Sequence, residues 1–323
     1  MENFSEHIEL EATVPDDYAG LRLDQALAKL FPQYSRSRLQ TWLKDGQVLV
    51  DDKVLRSRDK VLGGELITIN ATLKTEAAWE PQPIDLNIIF EDDALIIVNK
   101  PIGLVTHPGA GNPAGTLVNA LLHHTPELEK LPRAGLIHRL DKNTSGLLVI
   151  ARTLEAHTHL VAQLQARTMG REYEAIVCGV MTAGGSVDAP IGRHPIQRKQ
   201  MTVIESGKPA VTHYRVLQRF RQHTHIHVKL ETGRTHQIRV HMAHIHYPIL
   251  GDATYGQRLR LPPQCDEALK LALQQCKHQA LHARRLQVEH PISGETLQWE
   301  APLPEDLQQI LALLEEDNER HST

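Results

Sequence analysis

The sequence predicts an α+β protein in two unequal parts, and three observations carry that reading. Short β-type runs recur over residues 85–310, some in strict alternation, as in His225-Ile226-His227-Val228-Lys229-Leu230. Segments with apolar residues at helical spacing lie between them, at residues 116–123 and 156–165. A loss of periodicity between Ala71 and Ile84, ending in Pro81 and Pro83, sets all of this apart from a smaller N-terminal module. Strands with helices between them and hairpin-like alternation imply a mostly antiparallel or mixed sheet.

The elements follow in order. The N-terminal module spans residues 16–72. Leu23, Ala26, Leu27 and Leu30 define a first helix that ends at Pro32, and Ser35 is placed to cap a second whose apolar face is Leu39, Trp42 and Leu43. Gly46 closes that helix ahead of a strand at Val48–Val50. Residues 73–84 read as a linker. In the larger domain, residues 85–310, strands are predicted at 88–90, 95–98, 175–177, 212–216 and 225–230. Residues 136–137 and 147–150 read as buried strands meeting at a charged bend. Residues 311–323 read as an acidic tail.

Composition narrows the function classes. With 323 residues and 41% hydrophobic content, the chain can bury a sizeable core. No apolar run approaches the roughly 18 residues of a membrane span, and residues 1–6 lack the basic and apolar regions of a secretory signal, so the expectation is a cytoplasmic protein. Cys178, Cys265 and Cys276 are odd in number and have no Cys-x-x-Cys spacing, which argues against disulfides and thiolate zinc. His236, His241, His244 and His246 cluster without a His-Glu-x-x-His spacing, so no metal is expected.

The net charge of -4 hides a division along the chain. Residues 1–17 hold six acids and no Lys or Arg, and residues 295–323 hold eight acids and one Arg; removing them from totals of 39 acids and 35 bases leaves 25 against 34. The interior is therefore basic, as an RNA-binding face between acidic ends would be. Its densest part is Arg36, Arg38, Lys44, Lys53, Arg56, Arg58 and Lys60. Arginines at the start of a helix oppose its macrodipole unless an anion binds there, and phosphate is the obvious anion.

The chemistry centres on His138-Arg139-Leu140-Asp141-Lys142-Asn143-Thr144-Ser145-Gly146, a carboxylate between two cations on a polar bend held by apolar flanks. Two further segments are Arg171-Glu172-Tyr173-Glu174-Ala175 and the run from Glu231 to Met242, which contains Gly233-Arg234-Thr235-His236-Gln237-Ile238-Arg239. These three motifs, in this order, resemble the RluA-type RNA pseudouridine synthases. The resemblance runs from about Val14 to about Leu303, and Asn143 departs from the acidic residue usual at its place.

The resemblance implies a catalytic domain with a long mixed, mostly antiparallel central sheet carrying the cleft, preceded by a small S4-like RNA-binding domain. It implies isomerisation of uridine to pseudouridine, in the subgroup acting on the helix 69 stem-loop of large-subunit ribosomal RNA, without a cofactor. Asp141 becomes the essential acid, either attacking the ribose or removing a ribose proton, and Arg234 the cation that keeps it charged. Gly233 is expected to let the backbone bend so that Arg234 can reach across. Tyr173 would stack on the uracil, Ile238 line the pocket's other face, and Arg139 enter the space left by the flipped uridine. Lys142, Arg239, Arg133 and residues 193–199 are candidate phosphate contacts. The expected partner is large-subunit ribosomal RNA or a pre-ribosomal particle, met by a monomer and not by a membrane protein. Two competing classes are a non-catalytic RNA-binding assembly factor, in which Asp141, Tyr173 and Arg234 would be surplus, and a nucleosidase, which ordinarily opposes two carboxylates across a water.

Overall fold

The computed structural model describes residues 6–32, 34, 36–73, 79–109 and 111–321. They fall into two compact units divided after Ala78. The first unit contains β1 (Glu6–Thr13), α1 (Leu23–Leu30), α2 (Arg36–Lys44), β2 (Val48–Val50) and β3 (Leu66–Leu73). Its sheet has the order β1-β3-β2, all antiparallel. The apolar stripes expected of the two helices form its core: Leu23, Ala26 and Leu27 from α1 and Leu39, Trp42 and Leu43 from α2 pack with Val48, Val50, Ile67 and Ile69. The Ser35 cap lies outside the described residues.

This unit begins before the expected boundary at residue 16. Ile8, Leu10 and Ala12 of β1 face its core in alternation with Glu9 and Glu11, a period-two pattern masked when the segment is read as an acidic end. The expected linker, 73–84, is also redrawn. Leu73 still pairs with Glu6 in β3, and residues 74–78 lie outside the described set. Residues 79–84 are bound into the second unit, where Asn119 Nδ2 donates to Glu80 O at 2.9 Å and Gln82 N donates to Asn119 O at 2.9 Å.

In chain order the second unit comprises β4 (Ile88–Glu91), β5 (Leu95–Lys100), α3 (Leu117–His124), β6 (Ser145–Ala151), α4 (Leu154–Ala166), β7 (Gly170–Cys178), β8 (Gly185–Asp188), β9 (Ile191–Arg193), β10 (Met201–Val203), β11 (Val211–Arg219), β12 (His223–Leu230), α5 (Gln237–His244), α6 (Glu267–Gln275), β13 (Leu281–Glu289), β14 (Thr296–Glu300) and α7 (Glu305–Arg320). Among the described residues, nine strands make one sheet in the order β4-β5-β6-β13-β7-β12-β11-β8, with β14 on β13; β9 and β10 form a separate ribbon. The pair β6 and β13 is parallel and the other pairs are antiparallel, so the sheet is mixed and mostly antiparallel. Thr116 caps α3 and Thr153 caps α4, each accepting from the amide three residues on.

Two expectations fail here. Residues 136–137 make no strand: Leu136 forms a single bridge to Ile150 after a tight turn at Pro132–Gly135. The acidic tail is mostly α7, with Leu307, Ile310 and Leu314 buried at helical spacing in the main core and Asp317 paired with Arg221 at 3.2 Å. Asp317 shares that buried face, while Glu305, Glu315, Glu316 and Glu319 are exposed.

Gly146 is where the sheet meets the bend carrying Asp141. Its φ is +111°, and a Cβ there would lie 2.3 Å from the backbone oxygen of Ala283 on β13. Only glycine has both the conformation and the clearance. Gly146→Ala is therefore expected to lower stability by more than about 2 kcal/mol, read from the urea midpoint; an unchanged midpoint would contradict the close approach of β6 to β13.

Candidate active site

Asp141 sits at the end of a buried approach, Leu136, Ile137 and Leu140, and at the start of a turn closed by Thr144 N donating to Asp141 O at 3.0 Å. The bend is anchored on every side. Thr106 Oγ1 donates to Leu140 O at 2.7 Å, Gln279 Nε2 to Thr144 Oγ1 at 2.9 Å, and Ser145 Oγ lies 2.8 Å from His282 Nδ1. Lys100, 1% exposed, donates from Nζ to Pro101 O, Leu104 O and Lys142 O at 2.7, 3.0 and 3.1 Å. Burial pulls its pKa down to about 8 against the opposing charge of Asp141. The catalytic candidate therefore projects from a backbone with little freedom to move.

The cation on Asp141 is Arg239, and this corrects the expected role of Arg234. Arg239 Nη1 donates to Asp141 Oδ2 at 2.8 Å, while Nε and Nη2 form a fork on Asp252 at 2.7 and 2.9 Å. Asp252 Oδ1 also accepts from the amides of Thr254 and Tyr255 at 2.8 and 3.0 Å. The physical reason is placement: Arg239 stands in the first turn of α5, whose start at Gln237 turns it inward, whereas Arg234 precedes the helix and gives its Nε to Pro209 O at 3.0 Å. Arg239 is 6% exposed, so its expected phosphate contact is also withdrawn. Burial alone would weaken its charge, but the hydrogen bonds and charges of Asp252 and then Asp141 hold its pKa above the ordinary value. The Tyr255 ring lies 5.0 Å from the guanidinium carbon.

Gly233 likewise acts differently from expectation. A Cβ on it would fall 2.6 Å from Arg171 Nη1, so its lack of a side chain makes room for that guanidinium.

These groups line a cavity of about 560 Å³. Tyr173, 6% exposed on β7, and Ile238, 4% exposed on α5, both line it. Burial raises the Tyr173 phenol, with Arg171 opposing and Asp141 adding to the shift. Arg139 and Arg133 line its exposed rim, and Arg234 also lines it. Lys142 is exposed beside Asp141, and the 193–199 segment runs from Arg193 at the end of β9 into a mostly exposed loop before β10. His236, not singled out as a site residue from the sequence, has Nε2 3.7 Å from Asp141 Oδ1 and Nδ1 2.7 Å from the Tyr255 hydroxyl. Burial lowers its pKa, with Asp141 pulling the other way, which favours the neutral ring. Asp252 and Tyr255 were also missed; the Asp-x-Thr spacing of an Asx turn was the available signal.

In the first unit, Arg36, Arg38 and Lys44 stand on α2, and Lys53, Arg56, Arg58 and Lys60 follow β2. All but Arg38, which is half-buried, are exposed.

A family model described as RNA pseudouridylate synthase matches residues 94–244, and an S4 domain model matches residues 21–67. The chain is 55% identical over 315 residues to the ribosomal large subunit pseudouridine synthase D of Pseudomonas aeruginosa, with 98% of each chain covered. The chain belongs to the RNA pseudouridine synthase family. It is 53% identical to the synthase of the same name from Escherichia coli strain K12, again over 98% of each. Among solved synthases, human RNA Pseudouridylate Synthase Domain Containing 4 is 27% identical, with a TM-score of 0.54 over 71% of this chain and 93% of that one. Human RNA Pseudouridylate Synthase Domain Containing 1 is 22% identical with a TM-score of 0.53, over 72% and 96%, a likeness of fold. An RNA isomerase with an S4 RNA-binding domain is what this family membership establishes.

The buried pair of Arg239 and Asp252 has a pH signature. Burial pushes the Asp252 carboxyl up, but the Arg239 hydrogen bonds and charge and the two amides hold it below the ordinary 3.8. A carboxyl held lower in the folded chain contributes stability that is complete above its unfolded pKa and lost as pH falls through its folded one. The urea midpoint of Asp252→Asn should therefore lie below wild type at neutral pH, and the gap should narrow as pH drops below about 4. A gap independent of pH would contradict the ion pair.

Proposed function

We propose that this protein isomerises uridine to pseudouridine in large-subunit ribosomal RNA, in the helix 69 stem-loop, with Asp141 as its essential acid and no cofactor. The observation that carries the reading is Asp141 itself, fixed by Arg239 at 2.8 Å on the wall of a cavity that Tyr173 also lines. The names of its relatives, ribosomal large subunit pseudouridine synthase D, supply the RNA class.

The reaction breaks the bond between ribose C1′ and uracil N1, turns the ring, and joins C1′ to C5. Asp141 either attacks C1′ or removes the proton on C2′; both steps need an anionic oxygen that is already aimed. Arg239 supplies the donor that aims Asp141, and Asp252 holds Arg239 so that its direction does not change during the reaction. Reaching the cavity requires the uridine to leave its stack, at a cost of a few kcal/mol that contacts must offset. Arg139 on the rim is suited to fill the vacated space with its planar cation, and Tyr173 to stack on the ring. Arg234 and Arg133 line the same cavity and suit phosphates, as do Lys142 and the 193–199 loop.

The exposed bases of α2 and the segment after β2 suit the backbone of structured RNA, free or in a pre-ribosomal particle. We read the protein as a cytoplasmic monomer; no described helix is long and apolar enough to cross a membrane. Hydrolysis is the weaker reading. Glu231, which also lines the cavity, is tied to His213 at 2.6 Å and Arg167 at 3.2 Å and is not poised to activate a water.

The test is chemical mapping of pseudouridine in large-subunit ribosomal RNA treated with wild type and with Asp141→Asn. Wild type should modify helix 69 uridines, and the variant should lose at least about 10³-fold in single-turnover rate while still binding RNA. Product from the variant would refute the role of Asp141, absence of product from wild type would favour a binding factor, and free uracil would indicate hydrolysis.

A further inference from the structure

Arg171 is a residue of the cavity that the mechanism leaves unused. It lies two positions before Tyr173 on β7, so both side chains leave the same face of the strand, and both line the cavity. Arg171 is 5% exposed, which places it in the wall and not on the rim with Arg139. Among the described residues no hydrogen-bond acceptor and no carboxylate meets its guanidinium, and its Nε is fully enclosed without a partner. Other arginines that line the cavity differ: Arg239 has Asp141 and Asp252, the exposed Arg167 has Glu231, and Arg234 has Pro209 O. Beside Arg171, the Nε2 of His138 is also enclosed and unpartnered, and Gly233 leaves the guanidinium room.

A buried cation without a counter-charge is costly to the free protein, so an unpaired one in a cavity implies an anionic or acceptor-rich ligand that arrives later. On the reading of this site as a uridine isomerase, we propose that Arg171 binds the uracil ring through a carbonyl oxygen and stabilises the charge that the ring acquires when it is detached. When the C1′–N1 bond breaks, its electron pair leaves with the ring, by either route open to Asp141, and the charge spreads from N1 onto O2 and O4. A planar guanidinium with donors toward one of those oxygens lowers that charge without taking a proton. It also keeps the detached ring from escaping while it turns. C5 then returns an electron pair to C1′ as the Asp141 oxygen leaves C1′ on the one route, or as protonated Asp141 returns the proton to C2′ on the other; the C5 proton is lost and N1 is protonated, so the net change is isomerisation alone. Arg171 thus acts as a catalytic residue on the base, as Asp141 does on the sugar. A phosphate of the flipped nucleotide is the less favoured occupant, because Arg171 lies in the wall beside Tyr173 and away from the exposed rim.

The experiment compares wild type, Arg171→Met and Arg171→Lys on an RNA stem-loop in which wild type first forms pseudouridine; failure of that step would strike the reading of the site and not this proposal. Single-turnover rates at saturating RNA, RNA affinity at several salt concentrations and thermal midpoints without RNA are measured. The same rates are repeated with 2-thiouridine or 4-thiouridine at the target, where sulfur accepts hydrogen bonds more weakly and makes the ring a better leaving group. Arg171→Met should lose roughly 100-fold or more in rate with affinity nearly unchanged, and Arg171→Lys should recover part of it. Its thermal midpoint should equal or exceed that of wild type, since an unpaired buried charge has been removed. The ratio of wild-type to Arg171→Met rates should shrink severalfold with one of the thio-uridines.

A wild-type rate in Arg171→Met would overturn the proposal, as would a ratio unmoved by sulfur at either position. A thermal midpoint several degrees lower would make Arg171 structural. Weaker binding with a salt dependence reduced by roughly 0.7–0.9 and an unchanged saturating rate would assign it to phosphate.

Discussion

One guanidinium shared between two carboxylates organises this protein. Arg239 binds Asp252 with a fork and Asp141 with its remaining terminal nitrogen. The two acids have different exposures: the Asp252 side chain is fully enclosed, and that of Asp141 is 17% exposed, facing the cavity. The enclosed acid neutralises and orients the cation; the other, whose Oδ1 lies 3.7 Å from His236 Nε2, lines the cavity. An arginine in the first turn of a helix opposes the helix dipole, so α5 carries this cation at some cost that the two carboxylates offset. The arrangement serves to hold the Asp141 side chain in one place, more than as a source of stability.

The fold supplies the rest of that rigidity. β6 is buried along its whole length and begins two residues after the bend, and its parallel contact with β13 requires the bare backbone of Gly146. Lys100, at the end of the neighbouring strand, ties three backbone carbonyls together, one of them that of Lys142. The loop bearing Asp141 is thus irregular in path but fixed in place, which is what positioning a reactive atom demands. Tyr173 and Arg171 come from the centre of the sheet, on β7 between β13 and β12, so the part of the cavity wall they form is equally constrained.

Much of this was legible in the sequence, and the failures have physical causes. Alternation and helical spacing located most strands of the larger unit and the two helices of the smaller one, because each buries one face. Motif order singled out Asp141 and Tyr173, and both line the cavity. Arg234 and Arg239 lie five residues apart in one motif, and their types are identical; only the start of α5 decides which one turns inward. Asp252 lies on a later turn, and nothing local connects it to Asp141. Both ends were misread for one reason. Counting acids hides the apolar positions between them, Ile8 and Leu10 in β1 and Leu307, Ile310 and Leu314 in α7, which are the residues that fix those segments to a core.

The most direct measurement is a structure of the Asp141→Asn protein bound to an RNA stem-loop that wild type modifies, with the target uridine still intact. The flipped ribose should lie with C1′ and C2′ within reach of the residue 141 side chain, with Arg239 still forked on Asp252. A ribose held against Glu231 instead, or a target uridine that remains stacked in the RNA outside the cavity, would contradict the assignment of the chemistry to Asp141.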